Sequence, residues 1–95
     1  MRYAIEQTTR FRKQLKQMKK RHLDVRDLAK VVDTLAAGEA LDARCRNHRL
    51  TDSKRFQDCW ECHIAPDWLL VYRKYERGLI LLLIETGTHS DLFDK

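Results

Sequence analysis

Between Phe56 and Ile64 apolar and polar residues mostly alternate. Phe56, Trp60, Cys62 and Ile64 fall on one parity, and Gln57, Cys59, Glu61 and His63 on the other. That is the period of a strand with one packed and one presented face. Asp58 interrupts the apolar parity and marks the strand's start. Ala65-Pro66-Asp67-Trp68 predicts a tight turn, with Pro66 pre-set for its first central position. From Trp68 to Tyr75, β-branched, aromatic and aliphatic residues predict a second strand. After the turn Glu76-Arg77-Gly78, the apolar run from Gly78 to Glu85 predicts a third strand, buried on both faces.

Upstream, Arg2 to Gln7 predicts a short strand with Tyr3 and Ile5 on one parity. Thr8 or Thr9 then caps a helix in which Phe11, Leu15 and Met18 form one apolar stripe. His22-Leu23 leaves room only for a corner. Asp24 caps a second helix, with Asp27 in its first turn and Leu28, Val31, Val32 and Leu35 on its buried face. Gly38 stops it. Residues from Glu39 to Ser53 keep no period and read as a long loop. Those from Thr86 to Phe93 read as a polar turn leading to a short apolar tail. The order β-α-α-β-β-β describes an α+β fold, a mostly antiparallel sheet with a helical hairpin packed on one side.

Ninety-five residues accommodate one domain, spanning 1–95. The run from Leu79 to Ile84 is too short to cross a bilayer, and the first residues lack the apolar core of a secretory leader. Three cysteines without framework spacing suit a reducing compartment. Together these features place the chain in the cytoplasm, away from membranes. Charge sharpens the picture. Residues 1–22 carry eight Lys/Arg and one acid, a balance of +7, whereas residues 23–95 carry eleven Lys/Arg and thirteen acids, a balance of −2. A field polarised in this way favours polyanions. Lys13, Lys16 and Lys20 on the first helix, with Arg46 and Arg49 in the long loop, are the candidate nucleic-acid contacts.

Among four histidines, His22 sits at the helical corner and reads as surface. His48 in the basic loop, His63 on the presented strand face and His89 past the buried strand can converge at one sheet edge. With Glu61 and Asp67 they compose an acid–base site among cations. Metal-free RNA cleavage needs such a set. A base takes the 2′-OH proton, an acid protonates the departing 5′-oxygen, and cations stabilise the phosphoryl oxygens. Histidine suits both proton roles because its unperturbed pKa is about 6.5. Trp68 and Phe93 are placed to stack an unpaired base, while Trp60 reads as core. A rival reading makes Cys45, His48, Cys59 and Cys62 a zinc site. It founders on parity, because Cys59 and Cys62 leave a strand on opposite faces. A thioredoxin-type C-x-x-C fails too, since no helix begins there.

These residues also carry a family likeness. His48-Arg49-Leu50, Glu61-x-His63-x-x-Pro66-Asp67-Trp68-x-Leu70-x-Tyr72 and Glu85-Thr86-Gly87-Thr88-His89-x-x-Leu92-Phe93 together resemble the YafQ branch of the RelE/ParE toxin superfamily. The resemblance spans nearly the whole chain. It implies a bacterial type II toxin that cuts mRNA in the ribosomal A site and is neutralised by a cognate antitoxin; the proton-donor reading of the site itself calls for no metal or other cofactor. It makes His48, His63, Asp67 and His89 the catalytic set, with Glu61, Trp68, Arg73 and Phe93 in support. Glu61 stands where close relatives carry an aspartate, and Arg73 where they carry a lysine. The alternative from another class is a non-catalytic nucleic-acid-binding or regulatory module, or a gyrase-directed toxin, on the same fold.

Overall fold

The computed structural model describes residues 2–51 and 54–93. Its first strand, β1 (Ala4–Gln7), ends at a threonine that fixes the next element. The Thr8 side chain accepts from the Phe11 amide (2.9 Å) and donates to the Ile84 carbonyl (2.7 Å), so one residue caps α1 (Thr9–Lys20) and fastens it to the sheet. Phe11 and Met18 are buried and Leu15 half-buried, as the stripe predicts. Asp24 caps α2 (Val25–Ala36), and Gly38 follows it with a positive φ of 77°.

The helical pair carries the chain from one edge of the sheet to the other. There begins β2 (His48–Arg49), followed by β3 (Trp60–Ala65), β4 (Trp68–Tyr75) and β5 (Ile80–Gly87). The meander returns until β5 pairs in parallel with β1, giving the order β1-β5-β4-β3-β2. All other pairings are antiparallel. The mixed α+β fold with a helical hairpin agrees with expectation. Pro66-Asp67 is the two-residue tip of the β3–β4 hairpin, closed by Ala65 opposite Trp68.

Three expectations need correction. The strand expected from Phe56 begins only at Trp60, because Asp58 takes a positive φ of 59° and turns the chain before pairing starts. The long loop contains a 3-10 turn (Ala43–Cys45) and the short β2; its far end, Asp52 and Ser53, lies outside the described residues. The polar turn after β5 continues into a helix, α3 (His89–Phe93).

The two faces of the sheet are filled unequally. Under α1 and α2 lies the main core, with Phe11, Met18, Leu28, Leu35, Cys62, Trp68, Leu70, Tyr72, Leu81 and Leu83 among its members. On the opposite face a smaller cluster gathers Phe56, Cys59, Leu69, Val71 and Leu92. The face expected to be presented is therefore covered in part, and Glu61 on it is only 5% exposed.

Candidate active site

Cross-strand register assembles the polar residues on this second face. His48 lies opposite Glu61, Glu61 opposite Val71, and Val71 opposite Glu85. One row nearer the hairpin tip, His63 lies opposite Leu69, and Leu69 opposite Gly87. Directly opposed residues share a face, so His63 stands beside the His48–Glu61 pair. His89, two residues beyond Gly87, returns over the same row.

The contacts form one chain. His48 Nδ1 is 2.7 Å from the Arg46 carbonyl oxygen. A carbonyl only accepts, so Nδ1 carries hydrogen, and Nε2 faces Glu61 Oε1 at 3.3 Å. Arg46 itself sits in the left-handed region (φ 50°), which turns that carbonyl toward the imidazole. His63 Nε2 lies 4.0 Å from the same Glu61 oxygen, and its ring centroid is 5.6 Å from that of His89. His89 completes the chain by giving both its backbone N–H (3.2 Å) and its Nδ1 (3.0 Å) to Asp67 Oδ1. These hydrogen bonds hold the Asp67 carboxyl below the usual carboxylate range. An ionised carboxylate only accepts, so His89 Nδ1 carries hydrogen and Nε2 is the nitrogen left for chemistry.

Beside His63 a pocket of about 360 Å³ opens between the 3-10 turn and the hairpin, lined by Arg44, Cys45, Arg46, Ile64, Ala65 and Pro66. The other expected cations are placed less directly. Arg49 and Arg73 both reach Asp58, at 2.9 and 3.8 Å, and Arg73 also lies over the Tyr75 ring. Phe93 is half-buried and meets Phe56 edge-on at 5.7 Å. Lys13, Lys16 and Lys20 are exposed along α1.

The family model described as "Bacterial toxin of type II toxin-antitoxin system, YafQ" matches residues 3–94. The chain belongs to this family. An mRNA interferase toxin YafQ of Escherichia coli (strain B / BL21-DE3) is 36% identical over 92 residues, 94% of each chain. The toxin of the E. coli DinJ-YafQ toxin-antitoxin complex superposes with a TM-score of 0.86 at 30% identity, covering 98% of this chain and 99% of its own. A metal-bound toxin from Helicobacter pylori gives 0.88 at 38% identity, covering 98% and 100%.

Two aromatic expectations reverse in this YafQ-family chain. Trp68 is only 2% exposed and donates its indole N–H to Thr86 Oγ1 at 2.8 Å. It shares the parity of Leu70 and Tyr72 beneath the helices, so it is a bolt between β4 and β5 and offers no face to a base. Trp60, expected in the core, is 38% exposed because it opens β3 beside the sheet's edge. The cysteines behave as parity requires: Cys59 joins the smaller cluster and Cys62 the main core. Burial raises both thiols, and with Cys45 nearby Cys62 is pushed up to about 12.

Glu85, Arg55, Thr88 and Asp91, which have no assigned role in the sequence pattern, form polar contacts around the same region. Buried Glu85 receives Arg55, Gln14 (3.0 Å) and Arg10 (3.5 Å). Arg55 also donates to the Leu92 carbonyl (2.8 Å) at the end of α3. A carboxylate closing an apolar strand demands such partners, and that signal was available in the string from Ile80 to Glu85. Thr88 and Asp91 cap α3 reciprocally, and Thr-x-x-Asp is likewise a readable start signal.

Proposed function

We propose that this chain is the toxin of a type II toxin–antitoxin pair and acts as a ribosome-dependent endoribonuclease on translated mRNA. The observation that carries this reading is the chain His48–Glu61–His63–His89–Asp67, in which two imidazoles stand 5.6 Å apart with a carboxylate behind each. His63 and His89 are near enough to serve one phosphodiester, one taking the 2′-OH proton and the other protonating the leaving 5′-oxygen. Asp67 acts by fixing the tautomer of His89 and stabilising its protonated form. Arg46, Arg49 and Arg73 supply positive charge for the phosphoryl oxygens, and exposed Lys13, Lys16 and Lys20 hold RNA on the ribosome. Membership of the YafQ family and the name mRNA interferase on its E. coli relative support the same conclusion.

No helix among the described residues is long and apolar enough to cross a membrane, and a translated substrate places the activity in the cytoplasm. The partner is a cognate antitoxin, as DinJ is for the E. coli YafQ toxin. Its segment should be acidic or amphipathic, cover the His63–His89 surface or displace α3, and protect these residues from hydrogen exchange. A non-catalytic binding module would need the cations and aromatics. It would not need two histidines whose Nδ1 atoms are committed to the Arg46 carbonyl and Asp67.

The deciding experiment compares binding and single-turnover cleavage on programmed ribosomes, with 5′ ends mapped. His63→Ala or His89→Ala should slow cleavage by about 10²–10⁴-fold while ribosome affinity holds. Replacing Lys13, Lys16 and Lys20 together should weaken binding in a salt-dependent way and spare the bound-state rate. Cleavage should survive EDTA once ribosome integrity is controlled, because the mechanism uses imidazole protons. Loss of cleavage, restored by one added divalent metal, would replace this mechanism with a metal-assisted one. Histidine variants that bind weakly yet cut normally when saturated would overturn the proton roles.

A further inference from the structure

Arg21 is the C-cap of α1, next to its row of cations, and its guanidinium is engaged by a carboxylate near the other end of the chain. Nη1 lies 2.8 Å from Asp91 Oδ2 and Nη2 3.4 Å from Oδ1, a two-pronged contact across 70 residues of sequence. Asp91 uses the same carboxylate to accept from the Thr88 amide (2.9 Å), while its own amide is 3.2 Å from Thr88 Oγ1. The Asp91 carboxyl is correspondingly held below the ordinary range, first by Arg21 and then by the Thr88 amide. Gly87 leaves space for this arrangement. A Cβ there would come within 2.9 Å of Asp91 Cβ and 3.0 Å of Oδ2, so any side chain would push Asp91 out. Between the anchors at Thr88 and Asp91 sits His89, whose amide and Nδ1 reach Asp67. A helix of five residues has little stability of its own. The position of the His89 ring therefore depends on what grips the turn that carries it.

We infer that Arg21 is a positioning residue for His89, acting through Asp91 and the Thr88–Asp91 cap rather than by touching RNA. The inference rests on the proton role proposed above for His89. It assigns α1 two separate tasks: exposed lysines for the polyanion, and a terminal arginine that braces the catalytic turn.

The test uses the full chain with Arg21→Gln, Arg21→Lys, Asp91→Ala and the Arg21→Gln/Asp91→Ala double variant, with folding checked by circular dichroism. The Arg21 and Asp91 side chains are 46% and 33% exposed, outside both apolar cores, so these variants should fold. Imidazole nitrogen NMR reads the His89 tautomer and its bond to Asp67. Ribosome binding against salt and the single-turnover rate are measured alongside. In Arg21→Gln the His89 signal should lose its Asp67-bound character and the rate should fall by up to about 10²-fold, the scale of a small misplacement. Affinity and salt slope should stay at wild-type values. Arg21→Lys should recover part of the rate, and the double variant should be no slower than the worse single one. An unchanged His89 signal in Arg21→Gln, or weaker binding with a shallower salt slope and a normal saturated rate, would overturn the inference and make Arg21 a phosphate contact. If His89→Ala cleaves at the wild-type rate, the assignment of His89 fails instead. The NMR arm still decides whether Arg21 and Asp91 hold its ring.

Discussion

The two faces of the sheet use alternate residues of the same strands and do different work. On the helix side Cys62, Trp68, Leu70 and Tyr72 meet α1 and α2, and apolar packing is continuous. On the other side Glu61, His63, Leu69, Val71 and Arg73 share a face with a smaller cluster built around α3 and the residues before β3. A deep core tolerates few unpaired polar groups. The thin cover on the second face admits carboxylates and imidazoles, provided each finds a partner. Glu61 has His48 and His63, and Glu85 has Arg10, Gln14 and Arg55. Stability therefore concentrates on one face and chemistry on the other.

That division makes opposite demands on mutations. Phe11→Ala, in the main core, should cost about 3–5 kcal/mol in urea unfolding, while the cleavage rate per folded molecule holds. Leu92→Ala, beneath α3, should sit nearer the low end, about 2 kcal/mol, because a thinly covered site collapses more easily. It should nevertheless slow cleavage, since α3 carries His89. Equal catalytic losses in the two variants, corrected for folding, would erase the distinction between the faces.

A smaller effect concerns acid. The Asp91 carboxyl has a lowered folded-state pKa, so its contribution is complete above the unfolded value, about 3.9. It disappears as pH falls through the depressed folded value. Arg21→Ala should thus lower stability at neutral pH by about 1 kcal/mol or less. The two unfolding curves should converge at strongly acidic pH, as followed by circular dichroism. A gap that persists below the carboxylate range would mean that Arg21 stabilises by packing instead.

The smallest effect is optical. With Trp60 exposed and Trp68 buried, acrylamide should quench the wild type substantially. Trp60→Phe should leave a blue-shifted, poorly quenched emission from Trp68. Strong quenching in that variant would return Trp68 to the surface and reopen a stacking role for it.

Much of this molecule is present in its local patterns. Helical stripes, caps at Thr8 and Asp24, the Gly38 stop and the Pro66-Asp67 tip depend on residues a few positions apart. Backbone geometry enforces them wherever the segment lies. The parity separating Glu61 and His63 from Cys62 is equally local. The short β2 has no period of its own and exists because His48 meets Glu61. Which tryptophan is buried depends on where the helices end over the sheet, a distance that periodicity does not contain. The pairings of Glu85 with Arg55 and of Arg21 with Asp91 join residues 30 and 70 positions apart. Sequence supplies the need of a buried charge for a partner, and only the folded chain selects which cation arrives. The site shows the same split. The three histidines were identifiable as candidates from residue type and strand position. Their order along one chain of contacts, and the atom each presents, came from cross-strand register and the turn at Gly87.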